Sequence, residues 1–444
     1  MITAIVTLLT FLSTFFAMLH FICSFRYRQD PERKPARNLG FSLIIPCYNE
    51  APIIHNTIRG ILNLEYSHYE AIFVNDGSTD ETLRILFEAL QLEPYARPGF
   101  AHIPGARGIY RSKKHPRIFV IDKQNSGKAS SLNMGIRFCS KELVVTLDGD
   151  SVLEKNALNI MNCSFQDKDM IASGGAVHVM QYFLMEARKK PLIAIQALDF
   201  IKGFYIYKPS LCVNNALSII SGAFGVFRKD ALKAIGGFMD GLGEDIDITI
   251  RLQEYAQRKN KSISYNMDAI CYTECPETWR DLKRQRVRWQ KAFLDAIMNN
   301  RRFLVRQIFK TPVCFFMLMD AAFSGSMAVL TFFVNYILIS LRLIYGMPEL
   351  FLLFAALAVL FNILNSVVAV RRAVRRGPQT FRAEEAARAG RRRTKTGSLY
   401  LITWMDLTLF SFLRITFFVR GTVSYFLKRR SWDKLKRTSN AYML

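Results

Sequence analysis

Acidic residues are scarce. The 444-residue chain holds 36 Asp and Glu against 60 Lys and Arg, a formal net charge of +24. Such a surplus suits nucleic acid, anionic lipid or a phosphate-rich substrate. A cysteine framework is also missing. Cys23, Cys47, Cys139, Cys163, Cys212, Cys271, Cys275 and Cys314 are scattered, which excludes a disulfide scaffold and fits a reduced compartment. Cys271 and Cys275 stand four apart with no second pair to close a zinc site, so they read as two ordinary thiols. There is no internal repeat, and the composition excludes collagen and disorder. No aromatic-basic module such as an RNA-recognition motif is present, so nucleic acid is not the expected partner.

What the chain has in quantity is apolar sequence. Half of its residues are hydrophobic while 22% are charged, a combination that predicts membrane segments beside a polar domain. Residues 1–25 form an apolar run long enough to span a hydrocarbon core of ~30 Å. They lack the basic start and small-residue cleavage site of a secretory signal, so an uncleaved anchor is expected. Arg26, Arg28, Arg33, Lys34 and Arg37 follow, which puts residue 38 onward in the cytoplasm. After about residue 300 the chain turns apolar again. Residues 303–322 are interrupted by Arg306, Lys310 and Asp320 and read as interfacial. Residues 324–344 and 350–370 are spanning candidates, and the basic stretch 371–397 reads as a cytoplasmic loop. Residues 399–426 are apolar but hold Asp406, Arg414 and Arg420. Asp320, Asn362, Asn365, Asp406 and Arg414 are costly in lipid, so they either line a path or tie helices together.

Residues 38–300 read as an α/β domain. FSLIIP (41–46), EAIFVND (70–76), RIFVID (117–122) and ELVVTLDGD (142–150) are apolar runs that end on polar residues, as buried parallel strands do. Helical patterns lie between them, at 51–64, 79–90 and 130–139, so a doubly wound, mostly parallel sheet is expected. Residues 91–116, rich in Pro, Gly, Arg and Lys, read as a surface loop.

Chemistry-bearing residues fall at the strand ends, where such sheets bind ligands. Pro46-Cys47-Tyr48-Asn49-Glu50 closes the first strand, Asn75-Asp76-Gly77-Ser78-Thr79-Asp80 the second, and Asp148-Gly149-Asp150-Ser151 the fourth. Two carboxylates one residue apart can share a hard divalent cation that bridges phosphate oxygens. One such pair alone is a turn more often than a site. Two further motifs follow: Gly243-Glu244-Asp245-Ile246-Asp247 with Arg251, and Gln285-Arg286-Val287-Arg288-Trp289. On a helix Gln285, Arg288 and Trp289 share one face.

Together these residues resemble the family 2 glycosyltransferases with a D, D, D, Q-x-x-R-W pattern, the membrane synthases of cellulose, chitin, hyaluronan and poly-N-acetylglucosamine. The resemblance covers about residues 40–300. SGAFGVFRKDALKAIGGF (221–238) and the flanking apolar segments are most similar to the bacterial poly-β-1,6-N-acetylglucosamine synthases of biofilm exopolysaccharide. It implies a GT-A domain, Rossmann-like, with α-helical transmembrane segments: an anchor at 1–25, the catalytic domain at 38–300, and interfacial and membrane helices at 301–444. Pro46, Tyr48, Glu50 and Asp76 should line a uridine pocket, with Lys128 near the nucleotide. Asp148 and Asp150 should hold Mg²⁺ or Mn²⁺ on the diphosphate. Asp245 should be the general base beside Glu244, with Gln285, Arg288 and Trp289 closing over diphosphate and acceptor. Asn75 and Gly243 depart from the family pattern, which often has Asp and Thr or Ser there.

The resemblance further implies inverting transfer from a UDP-sugar, expected to be UDP-N-acetylglucosamine, to a polysaccharide or glycolipid acceptor. The setting would be a multi-pass protein of the cell inner membrane, in contact with lipid, and the pattern admits a small membrane partner subunit. The alternative enzyme reading is a non-processive transferase that adds one sugar to a membrane lipid. A transporter or scaffold with an inactive transferase domain is the competing class, and the carboxylates at 76, 148, 150 and 245 weigh against it.

Overall fold

The computed structural model describes residues 2–28, 35–96, 104–184, 190–322, 348–376, 402–403, 406 and 410–427. The N-terminal apolar run is a helix, α1 (Ile2–Phe25). The domain begins with β1 (Phe41–Cys47), α2 (Ile54–Leu62), β2 (Tyr69–Asp76) and α3 (Thr82–Leu90). There follow β3 (Leu92–Pro94), β4 (Ala106–Ser112), β5 (Ile118–Lys123), α4 (Lys128–Phe138), β6 (Leu143–Thr146), β7 (Ser151–Leu153), α5 (Ala157–Ser164) and β8 (Met170–Val179). After β8 the chain makes a helical excursion: α6 (Met180–Phe183), α7 (Pro191–Lys202), a π-turn at Gly203–Tyr207 and α8 (Lys208–Val213). It returns through β9 (Gly225–Arg228), α9 (Lys229–Ala234), α10 (Glu244–Lys259), β10 (Ser262–Thr273) and α11 (Trp279–Asn299). Beyond the sheet lie α12 (Arg301–Arg306), α13 (Pro312–Asp320), α14 (Pro348–Arg376) and α15 (Ser411–Phe426).

One ten-stranded sheet runs β3-β4-β5-β2-β1-β6-β9-β8-β10-β7. Its centre, β5-β2-β1-β6, is parallel, as is the β8–β10 pair. The pairs β3–β4, β4–β5, β6–β9, β8–β9 and β7–β10 are antiparallel. The sheet is therefore mixed, which corrects the mostly parallel expectation. The apolar-run signal finds strands buried on both faces, and it misses β4, whose ARGIYRS is half-buried. That strand corrects the surface-loop reading of 91–116: it forms a hairpin with β3 that extends the sheet edge, where charged residues discourage further pairing.

This topology sets where the site falls. The parallel strands β1, β2, β5 and β6 all end on one edge. Strand β6 pairs with β1 only as far as Ile44–Thr146. Pro46, which lacks an amide hydrogen for a ladder bond, lies just past that point. Antiparallel β9 starts opposite Thr146, at Gly225, so the loop before it opens on the same edge. Antiparallel β7 pairs Ser151 with Thr273 and brings the end of β10 there too.

The largest buried cluster extends past the domain. It joins Val177, Ala194, Leu198 and Tyr205 with Phe316, Ala369, Val370, Ala373, Ile402, Phe410 and Phe417. Among the described residues no helix is long and apolar enough to cross a membrane. The spanning candidate at 324–344 and most of the basic loop at 371–397 lie outside the described residues. The interfacial segment 303–322 forms the short helices α12 and α13. Several polar groups of the apolar segments tie helices together. Asp320 meets His20 at 3.3 Å and accepts from Tyr207, and Asn362 and Asp406 accept from Lys202 at 2.8 and 2.6 Å.

Candidate active site

The first two motifs are knitted into one loop pair. Asn49 adopts a positive φ of 52°, which Asn tolerates better than most residues. Its Oδ1 accepts from the amides of Thr79 at 2.8 Å and Asp80 at 3.3 Å, and its own amide donates to Ser78 Oγ at 3.0 Å. The Glu50 amide donates to Thr82 Oγ1 at 2.8 Å. These bonds hold the start of α2 against the start of α3. Glu50 is buried, whereas Tyr48 keeps 37% of its surface exposed and can offer a ring face to a planar ligand.

Asp76, at the end of β2, is buried and fixed from below. Its carboxylate accepts from the amides of Ser126 and Gly127, each at 2.9 Å, and from Lys123 Nζ. Gly77 above it has φ +64°, and a Cβ there would stand 2.7 Å from the Asn125 amide nitrogen. Asp76 thus shapes the 125–127 loop that launches α4 and sets the position of Lys128.

The Asp148–Asp150 turn follows β6. Thr57 Oγ1 donates to the Gly149 carbonyl at 2.6 Å. A Cβ on Gly149 would lie 3.1 Å from the Pro46 carbonyl and 3.2 Å from Glu50 Cγ, so the first and third motifs are in contact. Asp150 is buried. Its Oδ1 accepts from Ser151 Oγ at 3.1 Å and Thr273 Oγ1 at 3.2 Å, which orients the carboxylate.

Lys128 draws the third and fourth motifs together. Its Nζ lies 2.6 Å from Asp148 Oδ1 and 2.8 Å from Glu244 Oε1. Burial alone lowers the ammonium pKa, but Asp148, Glu244 and Asp245 outweigh it and hold the group above its usual value. Glu244 and Asp245 open α10, where the helix dipole favours acidic side chains. Burial and the neighbouring Glu244 carboxylate push Asp245 up to about 6; Lys128 and the Gly222 amide, 3.3 Å from Oδ2, work against the rise. Gly222 lies close to the lysine: a Cβ there would stand 2.8 Å from Lys128 Nζ. Asp247 in the same motif is a packing residue, bonded to Arg251 at 2.8 Å and to Asn300 at 2.9 Å.

Helix α11 carries the fifth motif. Thr278 Oγ1 caps it by accepting from the Asp281 amide at 3.2 Å. A Cβ on Gly243 would touch Ala292 Cβ at 2.9 Å, so α11 packs on the start of α10 through Ala292. Gln285 and Arg288 lie two turns and one turn before Ala292 on that stripe, with Trp289 beside them. Gln285 is buried, and its Oε1 has no hydrogen-bond partner among the described residues. Such an orphan is uncommon in folded proteins and demands a reason. Trp289 is 38% exposed.

Two groups near the site escape the motif reading. Arg286, a variable position of Q-x-x-R-W, stacks 4.3 Å above the Trp289 ring and pairs with Asp199 at 2.9 Å. Lys208, in the apolar run after the π-turn, sits 4.4 Å over the Phe204 ring, and burial pushes it down to about 8 against the pull of Asp245. A lysine inside an apolar stretch was the available signal. Cys271 and Cys275 are free buried thiols, and burial raises both.

Among the described residues no group of three or more His, Cys, Asp or Glu side chains is spaced to hold a metal ion. Asp148 and Asp150 nevertheless fit a hard divalent ion, which commonly binds through one or two carboxylates and completes its shell with phosphate oxygens and water. Lys128, already paired with Asp148 and Glu244, shows that this edge attracts positive charge.

A mixed sheet with these clusters at its parallel strand ends defines a GT-A glycosyltransferase fold. The chain superposes with a TM-score of 0.56, at 16% identity, on a mannosyltransferase from Pyrobaculum calidifontis solved with GDP-Man and Mn²⁺; the match covers 97% of this chain and 100% of that one. The chain belongs to glycosyl transferase family 2. The profile of that family matches residues 42–236, and that of glycosyl transferase family group 2 matches 143–367. Among curated proteins it is 30% identical over 262 residues to a poly-beta-1,6-N-acetyl-D-glucosamine synthase of Staphylococcus epidermidis, covering 59% of this chain and 56% of that protein. A Staphylococcus aureus protein of the same name is 27% identical over 288 residues, covering 64% of this chain and 62% of its own length. The chain thus spans about three fifths of these relatives.

Proposed function

We propose that this protein transfers N-acetylglucosamine from UDP-N-acetylglucosamine, with inversion, to a growing β-linked polysaccharide. The observation that supports the reading is the Lys128–Asp148–Glu244–Asp245 cluster, a buried carboxyl with a raised pKa beside a carboxylate–lysine pair at a strand end. The named relatives support the sugar and the polymer.

An acceptor hydroxyl attacks C1 of the sugar as UDP departs on the opposite face, and holding both in line removes much of the barrier. Asp245 takes the hydroxyl proton while the new bond forms. With a pKa of about 6 it is ionised at neutral pH yet more basic than an ordinary aspartate. Pro46, Tyr48, Glu50 and Asp76 wall the uridine, and Lys128 meets the diphosphate. Gln285 offers its orphan oxygen to a ligand donor, Arg288 balances charge on the leaving diphosphate, and Trp289 stacks on the acceptor sugar. Asp148 and Asp150 would hold Mg²⁺ or Mn²⁺, which supplies Lewis-acid stabilisation of the leaving group.

The setting is a bacterial inner membrane. The apolar helix α1 would serve as anchor, the catalytic domain would face the cytoplasm, and the polymer would leave along the C-terminal apolar helices.

The test uses membranes carrying the full chain, supplied separately with UDP-N-acetylglucosamine, UDP-glucose and UDP-glucuronate. UDP release and product size are measured, with Asp245→Asn as control. High-mass product from UDP-N-acetylglucosamine alone is the expected result. A lipid bearing one sugar would replace the polymer reading with the glycolipid one, and no UDP release from any donor would overturn glycosyl transfer.

A further inference from the structure

The Trp289 indole already has two neighbours. The Arg286 guanidinium lies 4.3 Å from the ring centre, and Phe200 packs at 6.2 Å. Arg286 does not hold that place by stacking alone. It pairs with Asp199 Oδ2 at 2.9 Å, and the other oxygen of Asp199 meets Arg414 at 3.3 Å. Arg414 reaches Asp406 at 2.8 Å, and Asp406 binds Lys202 at 2.6 Å. Lys202 donates onward to Asn362 at 2.8 Å.

The result is a row of alternating charges: Arg286, Asp199, Arg414, Asp406, Lys202. It starts at the aromatic platform of α11, passes through Asp199 on α7 to the C-terminal Arg414 and Asp406, and returns to α7 at Lys202. Most of its members are shielded from water: Asp406 is fully buried and the side chains of Lys202, Arg286 and Asp199 are 13%, 14% and 20% exposed, while Arg414, at 39%, reaches solvent. Between shielded members ion pairs are stiff, because neither partner can turn to solvent. Asp199 holds the guanidinium by charge rather than by an edge-on hydrogen bond, since Arg286 Nε and Nη2 have no hydrogen-bond partner among the described residues.

We propose that Asp199 is a positioning residue for acceptor binding. It locks Arg286 against Trp289 and ties that platform, through Arg414, to the C-terminal helices. The inference rests on the glycosyl-transfer reading and deepens it by assigning the acceptor side. The donor side stands on other residues, Lys128, Asp148 and Glu244, so the two sides separate kinetically.

The experiment measures both substrates on the full-length protein in membranes. Donor UDP-N-acetylglucosamine and a β-1,6-linked N-acetylglucosamine pentasaccharide are varied in turn. Asp199→Asn keeps the shape and removes the charge; Arg414→Gln removes the second anchor. Each should raise the acceptor KM about tenfold and leave the donor KM within about twofold. Asp199→Glu should recover most of the loss, and the double variant should be no worse than the worse single one, because both cut the same row. Donor and acceptor KM rising together, additive losses, or an inactive Asp199→Asn beside a normal Arg414→Gln would overturn the assignment. Absence of sugar transfer by the unaltered protein would overturn the glycosyl-transfer reading itself and the assignment with it.

Discussion

The pH dependence of transfer tests Asp245 directly. Its carboxyl is pushed up to about 6 by burial and by Glu244, with Lys128 and the Gly222 amide restraining the rise. A base must be ionised to act, so the rate should follow the ionised fraction. With a pKa of about 6 that fraction is roughly nine tenths at pH 7 and roughly one tenth at pH 5. The acid limb should therefore cost about tenfold between pH 7 and pH 5. An unperturbed aspartate, near 3.9, would lose less than about a tenth over the same range. Asp245→Asn should lower kcat by about 10²–10⁴-fold and flatten the limb that remains. Lys128→Met removes the cation that stabilises the ionised form, so the limb should move to higher pH. Each unit of movement corresponds to about 1.4 kcal/mol of lost interaction. The assay is initial UDP release at saturating donor in a constant-ionic-strength buffer series. A rate that stays flat from pH 5 to pH 8, or an Asp245→Asn variant within threefold of the parent, would refute the assignment.

Two other expectations follow from the same geometry. Chelation should abolish UDP release and added Mn²⁺ or Mg²⁺ should restore it; Thr273→Val, which removes a donor to Asp150, should weaken apparent metal affinity about 10–100-fold in a metal titration. Gly175→Ala should lower the melting temperature, since its Cβ would clash with the Phe224 ring and stand 2.5 Å from the Ala269 carbonyl; overpacking of this kind costs about 1–3 kcal/mol.

The strands at the site were legible because each is a short apolar run that stops on polar residues. FSLIIP, EAIFVND and RIFVID all fall on strands, displaced by no more than a residue or so. The third and fourth motifs were legible as separate acidic clusters, but nothing local shows that Lys128 joins them; that follows from the switch in strand order around β1. The β4 hairpin was hidden because a half-buried edge strand lacks the continuous apolar signal. Strands β8 and β10 were missed too: MIASGGAVHV and SISYNMDAICYT mix small, polar and apolar residues, and tertiary packing rather than pattern buries them. The charge row was the least visible feature, because its ion pairs join residues 199, 286 and 414, which only the folded chain brings together.

The buried cluster that joins Leu198 and Tyr205 to Phe316, Val370, Phe410 and Phe417 has a practical meaning for anyone cutting this gene. Expression of residues 38–300 alone would strip the lid from the 191–213 excursion. Its apolar face would open to water, and Lys202 would lose Asp406 and Asn362. Such a fragment should self-associate, since a contiguous exposed apolar patch seeks another. Its loss of activity would then report a damaged surface. Transplanting the catalytic domain between relatives would likewise have to carry the matching terminal helices with it, as one piece of inherited shape.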